Sequence, residues 1–153
     1  SETAYFAADN AVACAVLIDD TFVNNNGGIF PYDQSTPPQT YMDTVLIDYN
    51  TANSPSSVAL NQITCAQTTF FAPSNSFTVT NFERSLPGGT TTEPGLSSTF
   101  DLKMKIDDTN YRCAKVTVNK TATYRQIIAQ GYALCGHPEG TIERAVVNTS
   151  TTQ

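Results

Sequence analysis

At 153 residues, with 14% of its side chains charged and a formal net charge of -6, the chain has the length of one domain that can bury a core of its own. Eight Lys and Arg stand against fourteen Asp and Glu, with no basic cluster beyond Lys103 and Lys105, which excludes the basic face that nucleic acid or an anionic membrane requires. The sequence also holds no run of about 20 apolar residues able to span a bilayer as a helix.

Residues 1–20 predict the one long helix. They lack Pro and Gly, are dense in Ala, and set Ala4, Ala8, Ala11, Ala15 and Ile18 on one stripe with Tyr5, Val12 and Val16 beside it. The period is complete from the first residues, with only Glu2 and Thr3 as partial caps. The segment therefore reads as the continuation of a longer helix, whose upstream half is expected in the precursor.

Residues 21–62 are rich in turn formers, among them Asn24-Asn25-Asn26-Gly27-Gly28, Pro31 and Pro37-Pro38, and predict a long irregular connection. Inside it, Val45-Leu46-Ile47 suggests a short strand or a buried turn. From residue 63 to 150 the pattern is β, with candidate strands at 63–71, 76–84, 99–107, 112–119, 124–134 and 141–148. In 99–107, Phe100, Leu102, Met104 and Ile106 alternate with Asp101, Lys103, Lys105 and Asp107, which gives one buried and one wet face. Asp108-Thr109-Asn110 then turns the chain into the next strand, where Ala114, Val116 and Val118 continue the buried face. Residues 86–97, with Pro87-Gly88-Gly89 and Pro94-Gly95, predict an exposed loop. The expected architecture is a single α+β domain, an N-terminal helix packed on an antiparallel β-sheet; an all-β sandwich with an incidental helix is the alternative.

Cys14, Cys65, Cys113 and Cys135 are widely spaced, without a Cys-x-x-Cys, and the chain has one histidine. This is a disulfide pattern rather than a metal pattern. Of the three pairings open to four cysteines, Cys14 with Cys65 and Cys113 with Cys135 staples each half to its own neighbourhood and is the expected one. Each bridge would contribute roughly 3 to 4 kcal/mol in the chain-entropy picture. The compartment is then oxidising: periplasm, cell surface or medium.

No catalytic, cofactor-binding or metal-binding residue is assigned. His137 sits in the turn sequence Gly136-His137-Pro138-Glu139-Gly140, and a dyad with Cys135 would need a free thiol. Asp19-Asp20 and Asp107-Asp108 are candidate calcium ligands that a helix end and a hairpin turn explain more simply. Glu93 and Glu139 form a conceivable glycosidase pair, though both lie beside glycine and proline. Tyr5, Tyr32, Tyr41, Tyr49, Phe70 and Phe71 are either core or an aromatic platform for sugar or protein. Asn119-Lys120-Thr121 and Asn148-Thr149-Ser150 are acceptor tripeptides for glycosylation in a host that performs it.

Two patches carry a resemblance. The stretch from Glu2 through Cys14 to Ala15, small residues with an acidic position and then a cysteine, together with Arg125-Gln126-Ile127-Ile128-Ala129-Gln130-Gly131-Tyr132-Ala133-Leu134-Cys135 and Thr141-Ile142-Glu143-Arg144-Ala145-Val146-Val147, is similar to the pilins and pseudopilins of type IV filament systems, the minor pilins above all. The resemblance implies a non-catalytic structural subunit whose partners are other pilin subunits and whose contact with membrane runs only through an upstream helix. It implies that Ala4, Tyr5, Ala8, Ala11, Val12, Ala15 and Ile18 form a packing helix, with the sheet on one side and neighbouring subunits on the other. It also makes the Cys113 to Cys135 bridge a C-terminal disulfide loop, and the loops 24–28 and 87–95 the places for head-specific contacts. A secreted β-rich binding or adhesin module for glycan or protein is the second reading.

Overall fold

Residues Glu2–Thr21 form helix α1, as their alanine content and lack of helix breakers dictate. The structure, a computed structural model, describes residues 2–105, 109, 111–132, 135 and 144–151. The buried face of α1 is Ala7, Ala8, Ala11, Val12, Cys14, Ala15 and Ile18, mostly small side chains that let the helix lie close against the sheet. Five of the expected packing residues, Ala8, Ala11, Val12, Ala15 and Ile18, are on that face; the side chains of Ala4 and Tyr5 lie outside the described set.

The connection is not irregular. It opens with a hairpin of β1 (Val23–Asn24) and β2 (Gly27–Gly28), with Asn25 and Asn26 at its tip. Residues Pro38–Ala52 then form a second helix, α2, which replaces the strand or turn expected around Val45-Leu46-Ile47. Pro38 occupies the first turn, where its missing N–H is tolerated, and Tyr41, Met42, Val45 and Leu46 bury one helical face. Ile47 points to water at 64% exposure, so the branched run faces several sides of a helix and does not fill one strand. The expected strand at 63–71 is a tight hairpin, β3 (Thr64–Cys65) and β4 (Thr68–Thr69), reversed at Ala66 and Gln67, both at positive φ.

Five strands follow in consecutive antiparallel order: β5 (Thr78–Ser85), β6 (Thr92–Lys105), β7 (Tyr111–Thr121), β8 (Tyr124–Tyr132) and β9 (Arg144–Thr151). The hairpin between β6 and β7 is present, with Lys105 opposite Tyr111; Ile106, Asp107, Asp108 and Asn110 lie outside the described residues. The loop expected over 86–97 is shorter, because β6 already begins at Thr92. Pro94 pairs only toward β5, one residue before the pairing with β7 starts at Gly95, so its missing N–H breaks no central ladder. Gly95 is required by close approach, since a Cβ there would collide with the carbonyl of Lys120.

The inner face of the sheet is covered in two halves. Helix α1 crosses β7, β8 and β9 over Ala114, Val116, Val118, Ile127 and Ala129. The side of β6 is covered by rings from the connection and from the segment between β4 and β5, with Phe30, Phe70 and Phe77 each 5.6 to 5.8 Å from Phe100 and Phe71 5.7 Å from Phe30 and Phe77. On the outer face the register sets Thr80, Ser97, Asn119, Gln126 and Thr149 in one row across all five strands. Asn119 Nδ2 donates to Gln126 Oε1 at 3.1 Å within that row.

Both expected disulfides are formed, Cys14–Cys65 with its Cα atoms 5.7 Å apart and Cys113–Cys135 with 5.2 Å. They place the protein in an oxidising compartment. Among the described residues no helix is long and apolar enough to cross a membrane.

Candidate functional site

The most unusual chemistry in the molecule stands at the C-terminal end of α1. Asp19 continues the buried stripe of Ala8, Ala11, Val12 and Ala15 and is only 3% exposed. Lys120 follows Ala114, Val116 and Val118 on the inward positions of β7 and is 8% exposed. The two meet: Lys120 Nζ donates to both Asp19 oxygens at 2.9 Å and to the carbonyl of Phe30 at 3.1 Å. Arg125, at the start of β8, donates through Nη1 to Asp19 Oδ2 at 3.0 Å and to Asp20 Oδ1 at 2.7 Å. The backbone N–H of Phe30 completes the set by donating to Asp19 Oδ1 at 2.9 Å.

Each charge is thus matched and each Asp19 oxygen accepts twice, the condition under which buried ions are tolerated. Burial lowers Lys120 below its ordinary pKa, against the pull of Asp19. Burial would also lower Arg125, but its bonds to Asp20 and Asp19 outweigh that and raise it. Gly28 belongs to the same construction, because a Cβ there would collide with the carbonyl and carboxylate of Asp19.

Above the cluster opens a cleft of about 350 Å³ between the β1–β2 hairpin, the end of α1 and the turn joining β7 to β8. Asn24, Asn25, Asn26, Tyr32, Thr121 and Tyr124 contribute to its walls, and Asp19, Asp20, Lys120 and Arg125 border it as well. A second recess of about 220 Å³ shares Asn24, Asn26 and Tyr32 with it and continues toward Asp33 and Tyr41. Asn24 is fixed at both ends, its Oδ1 accepting from the N–H of Asn26 and its Nδ2 donating to Asp48, each at 2.9 Å. The Tyr32 ring packs edge-on against Tyr41, 5.7 Å between centroids, and the Tyr41 hydroxyl donates to the Gly28 carbonyl at 2.9 Å. Burial, chiefly, pushes the Tyr41 phenol well above its ordinary pKa. Hydrogen bonds from Ser35 hold Asp33 below the usual carboxylate value.

The sequence-derived candidates are scattered. Asp19 and Asp20 are neighbours, but Asp19 is saturated by the cations of the chain itself. Glu93 accepts from the hydroxyls of Thr121 and Thr123 and lies 3.9 Å from Arg84, while Glu139 lies outside the described residues, as does His137. Among the described residues no three His, Cys, Asp or Glu side chains come together as a metal site. Phe70 and Phe71 are core, Tyr49 packs on Phe22 at 4.8 Å, and Tyr32 and Tyr41 line the smaller recess. Among the described side chains, Tyr32, Tyr41, Tyr49, Phe70 and Phe71 therefore form no single platform. Lys120 and Arg125 escaped notice as site residues, although a lysine on the inward phase of an apolar strand was a readable signal.

Comparison with protein families, with curated proteins and with solved structures finds no match to this chain.

Proposed function

We propose that the chain is the globular head of a structural subunit in a type IV pilin-like filament, working by packing rather than by turnover. The observation that carries this reading is the solvent face of α1. Phe6 is 52% exposed and Leu17 58% exposed; they stand eleven residues apart, close to three helical turns, with the exposed Ala13 between them. The helix is thus buried on the sheet along one face, and on the other it holds Phe6, Ala13 and Leu17 in the open among Asp9, Asn10 and Asp20, two large apolar groups of the kind that pack against neighbouring subunits. The α+β architecture and the bridge from β7 to Cys135 agree with the same family. The filament would stand at the cell surface or span the periplasm, and the precursor would carry an apolar helix joined directly to α1.

The test is the full-length protein in its own cells with Leu17→Glu. The substitution is expected to abolish incorporation into filaments while the isolated head melts within about 2 °C of the parent, because exposed positions change stability little. Normal incorporation of the variant would overturn the reading, as would a precursor in which an ordinary cleaved signal precedes the domain. A secreted binding module is the second reading, and the cleft beside the β1–β2 hairpin is the observation on its side.

A further inference from the structure

We infer that the cleft between the β1–β2 hairpin and the β7–β8 turn is a binding site for a neutral oligosaccharide. The inference stands apart from the filament proposal and would hold for a head domain or a free module. Its first support is electrostatic. The charges bordering the cleft are already closed on one another, Asp19 and Asp20 against Lys120 and Arg125. Within the cleft two anions and two cations leave no surplus of either sign to select a phosphate, a carboxylate or an amine, and Asp33, in the recess beyond Tyr32, is occupied by hydrogen bonds from Ser35 and Thr36. What the walls offer instead is hydrogen bonding without net charge.

The second support is the type and state of the wall groups. Among the described residues the side-chain amides of Asn25 and Asn26 make no hydrogen bond, and each supplies two donors and an acceptor. Planar amides of this kind match the adjacent hydroxyls of a sugar ring, one accepting while the other donates. Tyr32 adds ring area of the sort that covers the C–H face of a pyranose while a hydroxyl stays wet; one face of the Tyr124 ring is already taken by the Arg84 guanidinium, 4.3 Å from its centroid. A few convergent polar groups beside aromatic surface is the common makeup of small-ligand sites, whose volumes run about 300–1,000 Å³. The cleft, about 350 Å³, meets that range, and the recess of about 220 Å³ beyond Tyr32 extends it by a second ring.

The third support is preorganisation. Asn24 is pinned at both ends, Tyr32 is braced by Tyr41, and the hairpin base is locked where Gly28 abuts Asp19. The ion cluster is then the rigid floor of the site rather than its ligand, and less ordering is left for binding to supply.

The experiment is a titration of the 153-residue chain with maltose, cellobiose, lactose and N,N′-diacetylchitobiose, followed by backbone amide NMR, with a heparin disaccharide as the anionic comparison. At least one neutral sugar is expected to give saturable shifts centred on residues 24–28 and 121–125. Asn25→Ala/Asn26→Ala should weaken that sugar about tenfold or more, roughly 1.4 kcal/mol. Neither asparagine has positive φ, so alanine suits the turn, and the dispersion of the same spectra reports the fold. Tyr32→Ala provides an independent variant beside the hairpin, between the two recesses, expected to weaken binding similarly. The proposal is overturned by the absence of saturable shifts with every neutral sugar up to roughly 20 mM, far above a millimolar Kd. Shifts centred elsewhere, binding of the heparin disaccharide alone, or full affinity in both variants would overturn it equally.

Discussion

Helix α1 is fastened twice, at opposite edges of its buried surface, covalently at Cys14 and, five residues further on, ionically at Asp19. The bond to Cys65 acts largely on the unfolded chain, whose freedom it restricts, and it asks little of its surroundings. The cluster at Asp19 acts only in the folded state, and each member has value only while the others are present. One fastening is therefore robust to its neighbours and sensitive to redox conditions. The other is indifferent to redox and intolerant of any single loss. The difference also sorts the two fastenings by use: the ionic one borders the cleft, where a fixed polar floor has a purpose that a disulfide would not serve.

The sharpest way to break this contrast is to remove one ion. Asp19→Ala should destabilise the domain by about 3–5 kcal/mol in urea titrations, because Lys120 and Arg125 lose the partner they were buried against. Asp19→Leu/Lys120→Met should be markedly more stable than the single variant, since Arg125 keeps Asp20. If the double variant is the worse of the two, the cluster is not an all-or-none unit.

Next in size is the covalent fastening. Cys14→Ser/Cys65→Ser opens a loop with a sequence separation of 51 and should lower stability by about 4 kcal/mol, with a steeper dependence on urea as the unfolded chain expands. An unchanged slope would place the effect in the folded state instead.

The smallest effect belongs to a neutral contact that braces the ionic end. Tyr41→Phe removes the hydrogen bond to the Gly28 carbonyl and should cost about 1 kcal/mol at neutral pH. Because the folded-state pKa of Tyr41 is raised, its contribution is full below the ordinary value of 10.0 and is lost as pH rises above it, where the unfolded chain ionises first. The fall of unfolding free energy above pH 10 should accordingly be shallower in Tyr41→Phe than in the parent. Equal slopes would mean that the phenol is not shielded in the folded state.

The sequence was most legible where one period runs without interruption. The alanines of α1 and the alternation from Phe100 to Met104 and from Ala114 to Val118 announce their buried faces directly, and local pairing of the cysteines matches the bridges formed. Helix α2 was hidden because its centre carries Val45-Leu46-Ile47, a run with strand propensity, whereas its stability comes from burying Tyr41, Met42, Val45 and Leu46. The start of β6 was hidden by Pro94-Gly95, a turn dipeptide that the fold accepts only because Pro94 is unpaired toward β7 and Gly95 lies against Lys120.

The site was less legible still, for a physical reason. Asp19 and Lys120 are 101 residues apart and Asp19 and Arg125 are 106, so no local spacing relates them. Each could be noticed only as a charge on an apolar phase, and the partner follows only once the helix is laid across the sheet.

The outer row of Thr80, Ser97, Asn119, Gln126 and Thr149 has a consequence for the medium the protein meets. A face kept wet by hydroxyls and amides is neither screened by added salt nor titrated by acid, unlike a face kept wet by ions. Across dilute or saline, neutral or mildly acidic surroundings, that row should present the same surface, and the response of the outer face to salt should come from Asp101, Lys103 and Lys115 on the same side of the sheet.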